Sequence, residues 1–226
     1  MILRVGLFTT AAVLVVLLYP LKVGIPSKCP SGDELQSIFV KKSYSEEKHQ
    51  GLYYEIAFKD VTQPRMCKCI TSNKTIVSND TLQDDFYIQC SGEVHYANLS
   101  FHLNVDRNKR GYMIGRWNDF GPFKGVSFPN YIVDVGVDPS SGEYEWVIEF
   151  QCIQGKKIFG RNWIEYYGLN FYSKTYNDPT LLGTMESAAR RRGLGPFLDN
   201  GLSLFPVDHT GCLQDHPVSI QKLQNE

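Results

Sequence analysis

Tyr144-Glu-Trp146-Val-Ile148-Glu-Phe150-Gln-Cys152 is the stretch that decides the fold. Every even position is apolar and every odd position except Val147 is charged or polar, the period-two pattern of a strand with one buried face. Ser100-Phe101-His-Leu103-Asn-Val105 and Tyr131-Ile-Val133-Asp-Val135 alternate in the same way. Outward from these, Gly51 to Tyr176 is a succession of short runs rich in Tyr, Val, Ile and Phe, separated by Gly, Asn, Asp or Pro. That span suffices for about eight strands. Strands in series with one apolar face predict an antiparallel sheet that packs or closes on itself, as a sandwich or a barrel. One helix follows at about 179–192: Asp178 as cap, Pro179 in the first turn, an apolar stripe of Leu181, Met185, Ala188 and Ala189, then Arg190, Arg191 and Arg192 at the negative end of the dipole and Gly193 for a left-handed cap. The arginines could instead form a processing or heparin site. The fold class predicted is all-β: an eight-stranded antiparallel up-and-down β-barrel with one C-terminal α-helix packed outside.

The flanks predict the compartment. Met1 to Arg4 carries one positive charge, and Val5 to Leu18 is an uncharged apolar run that ends at Pro20 and Lys22, too short for a comfortable membrane span. Residues 1–24 therefore read as a signal peptide, cleaved at about 20–27, with no transmembrane segment in the mature chain; a short signal anchor is the alternative. Residues 25–50 would close the barrel, 51–212 form it, and 213–226 make a polar tail. The 226 residues carry 23 Lys and Arg against 24 Asp and Glu; without Arg4 and Lys22 the basic count is 21. So nearly neutral a chain lacks the electrostatic footprint for a phosphate backbone, which excludes nucleic acid as a partner. Six cysteines (29, 67, 69, 90, 152, 212) and three sequons, at Asn73, Asn79 and Asn98, agree with secretion to the extracellular space as a glycoprotein, the sequons marking surface turns. Cys67-Lys-Cys69 has no second close pair and the five histidines are scattered, so disulfides rather than a metal site are expected.

Several segments resemble the lipocalin family. Gly51-Leu-Tyr53-Tyr-Glu-Ile-Ala57 resembles the family's Gly-x-Trp-Tyr-Glu-Ile-Ala opening strand, with Tyr53 in the Trp position. Glu145 to Cys152 resembles the strand that ends in Tyr-Ser-Cys in the apolipoprotein D group. Phe171-Tyr-Ser-Lys174-Thr matches that group's Ile-Leu-Ala-Arg-x, with Lys174 at the Arg, and Thr180-Leu181 fits the opening of its helix. Cys69-Ile-Thr-Ser-Asn73-Lys-Thr75 is similar to its Cys-Ile-Gln-Ala-Asn-Tyr-Ser, sequon included. The family's Thr-Asp-Tyr turn is not matched; Gly136-Val-Asp138 is nearest, followed by an insertion over 139–142.

The resemblance implies a lipocalin-like calyx with bridges Cys29–Cys152 and Cys69–Cys212, leaving Cys67 to pair with Cys90; a swap of Cys67 for Cys69 stays open. It also implies a barrel-floor signature of Gly51, Tyr53 and Lys174, the ammonium lying over the Tyr ring in place of a guanidinium over Trp. An eight-stranded barrel is wide enough for one small ligand, and the apolar parity predicts Phe101, Leu103, Tyr131, Val133, Tyr144, Trp146, Ile148 and Phe150 as its lining. Over 163–174 two registers stay open: Tyr166, Gly168, Asn170, Tyr172 and Lys174 inward, as the resemblance implies, or Trp163, Tyr167, Leu169 and Phe171 inward, the more apolar set.

The implied function is a secreted carrier of a small hydrophobic ligand: a retinoid, steroid, fatty acid or tetrapyrrole. A ligand burying roughly 400 Å² of apolar surface would gain at most about 10 kcal/mol before ordering costs, so micromolar to sub-micromolar dissociation is expected. The chain has no Gly-x-Ser-x-Gly elbow, paired-His motif, phosphate loop or dinucleotide fingerprint, so it reads as no enzyme and as requiring no cofactor. Asp84-Asp85 and Glu46-Glu47 read as solvated turns. The alternatives are a β-rich recognition protein acting through its surface, with a cell-surface receptor unknown, and an isomerase using a free pocket thiol, which full cysteine pairing would preclude.

Overall fold

A computed structural model describes residues 28–60, 62–106, 108–119, 124–155, 164–201 and 203–212. The expected signal peptide, the tail after 212 and Trp163 lie outside the described residues. The alternating runs form eight long strands: β1 (Gly51–Asp60), β2 (Cys67–Ser78), β3 (Thr81–Cys90), β4 (Glu93–His102), β5 (Tyr112–Trp117), β6 (Ser127–Val137), β7 (Tyr144–Gln154) and β8 (Ile164–Ser173). Each pairs antiparallel with the next, β8 returns to β1, and β1 pairs with β2, so the sheet closes into an up-and-down barrel. Closure pairs most of the strand edges, which an open sheet would leave exposed. Only Gly51 to Tyr54 of β1 pair with β2, and beyond a bulge at Ile56 the two strands part. A two-residue strand from the far end of the chain, β9 (Phe205–Pro206), pairs with Ala57 and Phe58 in that gap. The Val207 amide donates to the Ile56 carbonyl and the Cys69 amide to the Asp208 carbonyl, so this segment laces β1 to β2.

Two short helices, α1 (Gly32–Leu35) and α2 (Ile38–Ser43), and a 3-10 turn at Glu47–His49 cross the end of the barrel where β1 begins. The Ser37 hydroxyl caps α2 by accepting from the Val40 amide, and Gln36 Nε2 donates to the carbonyls of Arg110 and Ile132. Val40 and Tyr44 are buried against Tyr53 and Tyr144, the Tyr44 and Tyr144 rings stacking at 5.8 Å, which makes this end the floor. On the outside, α3 (Leu181–Ala189) runs into a π-turn at Arg190–Leu194 and then α4 (Gly195–Leu198). The helix is shorter at its start than the 179 expected, because the Asp178 carboxylate ties back to the Thr180 amide and hydroxyl and holds that turn. Gly193 at φ +82° breaks the axis and lets α4 turn back onto the sheet. Arg190 bridges Glu186 and Asp199, and Arg192 reaches Asp134 on β6, so two of the three arginines are spent on intramolecular pairs.

Three disulfides tie these parts together: Cys29–Cys152, Cys67–Cys90 and Cys69–Cys212. The first and third close separations of 123 and 143 residues, and removing either costs roughly 2–5 kcal/mol.

Candidate functional site

The floor brings Gly51, Tyr53 and Lys174 together. Lys174 Nζ lies 4.2 Å from the Tyr53 ring centroid and donates to the Gln50 carbonyl at 2.7 Å. Gly51 adopts φ +100°, and a Cβ there would stand 2.8 Å from Lys174 Nζ, so the glycine both turns the chain and clears the ammonium.

Above the floor the barrel is charged. Lys74 on β2, 1 % exposed, points inward between Asp84 of β3 and Glu149 of β7, at 2.7 and 3.2 Å. Its ammonium also lies 5.3 and 5.0 Å from the Phe101 and Tyr172 ring centroids. Ser72 donates to Asp84, Asn130 donates to Glu149, and His49 Nε2 lies 3.4 Å from Glu149 while its Nδ1 meets the Tyr44 hydroxyl at 2.5 Å. Burial penalises each charge, and the outcome depends on the partner. Burial pushes the Glu149 carboxyl up, but Lys74 and the His49 contact outweigh it and bring it down to about 2. Burial likewise lowers Lys74, yet Asp84 and Glu149 hold the ammonium above its ordinary range. For His49 burial wins and favours the neutral ring. For Asp84 burial also wins, and its carboxyl sits above the usual range.

Nearer the opposite end, Glu55 and Asp60 of β1, Gln151 of β7 and Asn170 of β8 extend this polar lining. Tyr166 donates to Asp60 at 2.7 Å, and its hydroxyl is 2.9 Å from Gln151. Gly168 makes room for that pair: a Cβ there would meet Asp60 Oδ2 at 2.5 Å. Gln63 Nε2 donates to Glu55 at 3.3 Å, the only hydrogen bond to that carboxyl among the described residues, and burial holds it well above its ordinary range.

At the open end the lining changes character. Pro64, Met66, Phe86, Ile88 and Trp117, with Thr62, Gln63, Cys90 and His95, wall a hollow of about 280 Å³ that opens to solvent. A second, deeper hollow of about 20 Å³ lies under it, edged by Asp60, Asp84, Glu149, Gln151 and Asn170; the two share Gln63, Phe86 and Trp117. The arrangement is a funnel, apolar at the mouth and acceptor-rich at depth.

The expected lining is corrected at five positions. Phe101, Leu103 and Tyr144 belong to the interior cluster, Tyr144 at the floor. Val133, Ile148 and Phe150 instead face outward into the cluster beneath α3 and α4, with Trp146 packed at its edge and the Phe150 ring 4.9 Å from Phe197. Tyr131, also on the outer face, stacks on Tyr112 and abuts Gly32 of α1. The external helices supply an apolar partner for the outer face of β6 and β7, leaving the inner face of β7 to Val147, Glu149 and Gln151. On β8 the Lys174 parity is inward: Asn170 and Tyr172 line the deep hollow, while Tyr167, Leu169 and Phe171 face α4. Asp84 is not on a solvated turn but buried within β3, while Asp85 faces outward. Asn79 occupies the β2–β3 turn, but Asn73 and Asn98 lie within strands, opposite Asp85 on its two sides. All six cysteines are bridged, which leaves no thiol nucleophile. The wall residues Phe86, Ile88 and Trp117 were not anticipated; the alternation Leu82, Asp84, Phe86, Ile88 carries the signal of the first two, with a carboxylate inside an apolar parity.

Strand order, closure and the external helix define the lipocalin fold. No protein-family model and no curated protein matches the sequence. Among solved structures, insecticyanin from the tobacco hornworm Manduca sexta superimposes with a TM-score of 0.60 at 12 % identity, over 82 % of this chain and 88 % of that one. Apocrustacyanin C1 gives 0.59 at 16 % identity, over 88 % and 96 %, and H1 crustacyanin from the lobster Homarus americanus 0.57 at 14 %, over 88 % and 94 %.

Proposed function

We propose that this chain is an exported carrier that takes a small, largely hydrophobic ligand through the open end of the barrel, and that it belongs to the lipocalin family near the apolipoprotein D group. The observation that carries the reading is the apolar hollow of about 280 Å³ walled by Met66, Phe86, Ile88 and Trp117. Ligand sites are concave and mostly apolar with a few polar groups at the base, and this one lies at the small end of their usual range of roughly 300–1,000 Å³. That size favours compact ligands over a tetrapyrrole. The Gly51–Tyr53–Lys174 floor and the long-range disulfides support the family; the three bridges, with the sequons at Asn73, Asn79 and Asn98, support the extracellular destination. Organic extraction of the purified protein followed by mass spectrometry, with Trp-fluorescence titrations against retinoid, steroid, fatty-acid and bilin panels, tests it. Saturable quenching is expected, weakened at least about tenfold by Ile88→Glu, which places a charge in the apolar wall. No extracted ligand and no uptake across the panels would overturn the reading.

A further inference from the structure

The funnel's base has a chemical preference. Among the described residues around the deep hollow, four carboxyl groups (Glu55, Asp60, Asp84 and Glu149) are buried with one ammonium, Lys74. That ammonium is already engaged by Asp84 and Glu149 and flanked by two rings, so it has little left to offer an incoming anion. His49 sits behind Glu149 with burial favouring its neutral form. Lys59, the neighbour of Asp60 in sequence, points out of the barrel to the Leu198 carbonyl.

The remaining acceptors are under-supplied. Glu55 Oε2, Gln63 Oε1 and Asn170 Oδ1 are buried and have no hydrogen-bond partner among the described residues. Glu55 is fully buried and Asn170 nearly so, and Gln63 and Asn170 border the deep hollow directly. Asp60 accepts from Thr62, Tyr166 and the Asn170 side chain but, among the described residues, faces no cation. Buried acceptors left unpaired are costly, more so when charged, so this base is built for a group that brings donors and positive charge.

We propose that the carried ligand is a small amine: an apolar body seated against Phe86, Ile88 and Trp117, and a protonated amino group lodged in the deep hollow among Asp60, Gln63 and Asn170. An ammonium has three donors and no acceptor, the complement of that set, and the rings of Phe86 and Trp117 at the junction of the two hollows add cation–aromatic attraction. A carboxylate in the same place would face Asp60, Asp84 and Glu149 with no free cation among the described residues. A hydroxyl would satisfy one acceptor and leave the charge uncompensated. Burial already pushes Glu55 and Asp60 toward their protonated forms, and a bound ammonium offsets that penalty.

This inference rests on the carrier reading and can fail separately from it. Three probes with the same aromatic body, phenethylamine, 2-phenylethanol and 3-phenylpropionate, are titrated calorimetrically into the intact disulfide-bonded protein at neutral pH. Phenethylamine is expected to bind at least about tenfold more tightly than the alcohol and about a hundredfold more tightly than the acid. Asp60→Asn is expected to erase most of the amine preference while leaving alcohol affinity within about twofold. The wild-type series stands without that variant should it fold poorly. Equal or tighter binding of the alcohol or the acid, or an undiminished amine preference in a folded Asp60→Asn protein, overturns the amine assignment and leaves the carrier reading intact. Failure of all three probes overturns the assignment as well; the carrier reading falls with it only if extraction and the hydrophobic panels are also blank.

Discussion

β7 buries both of its faces, against opposite kinds of neighbour. Its outer face, Ile148 and Phe150, packs on α3 and α4 in an ordinary apolar core. Its inner face passes from Val147 to Glu149 and Gln151, inside a closed barrel, and Glu149 is held by Lys74 and His49. The outer face is fixed by non-directional burial and tolerates substitutions of similar volume. The inner face is fixed by matched charges, where removing one partner strands another. The apolar side of a barrel strand is therefore not necessarily the ligand side; a helix laid on the outside can claim it.

The largest expected effect tests the inner face. Lys74→Met leaves Asp84 and Glu149 buried without their cation and is expected to cost about 3–5 kcal/mol in urea unfolding; a loss under 1 kcal/mol would mean that the charges are not matched as described. Next comes the outer face: Ile148→Ala is expected to cost about 2–5 kcal/mol through the cavity it leaves, with ligand affinity unchanged within about twofold, because the side chain faces α3 and not the funnel. A large loss of affinity in a stably folded variant would return Ile148 to the lining.

The pH profile separates the faces further. Glu149 is brought from an ordinary 4.5 down to about 2, so its contribution is present above about pH 4.5 and lost as the pH falls toward 2. Glu55 and Asp60 are raised by burial, so theirs is present below their ordinary values and lost as the pH rises through the raised ones. Urea midpoints from pH 2 to 8 should peak in the mildly acidic range, and Glu55→Gln should make the decline toward neutrality shallower. An unchanged slope would remove Glu55 from this balance. The smallest effect is at the floor: Lys174→Met should cost about 1 kcal/mol, the scale of a cation–aromatic contact, read as a shift in melting temperature.

Much of the architecture was legible in the residues. Alternation over 51–176 announces the strands, and Asp178 to Gly193 announces the helix within a turn at its start. The inward parity of β7 was not legible, because alternation reports that one face is apolar and is silent on what covers it. Bulges at Ile56 and near Val133 shift which residues point inward within one strand, and no local pattern marks them. The charged interior was hidden for a related reason: Lys74 and Asp84 face each other across the β2–β3 hairpin, but Glu149 is remote in sequence, and each resembles a solvated charge until closure brings Glu149 within 3.2 Å of the Lys74 ammonium.

The lacing of β1 to β2 by residues 205–208 has a consequence for biosynthesis. The cylinder's final seam is sealed by chain that leaves the ribosome after every other strand, so β1 and β2 must wait, partly unjoined, through the synthesis of most of the protein. Nascent chains stalled before Phe205 should therefore remain open to protease near Ala57 and Cys69, and protection should arrive only with the last lace, once an oxidising compartment can join Cys69 to Cys212.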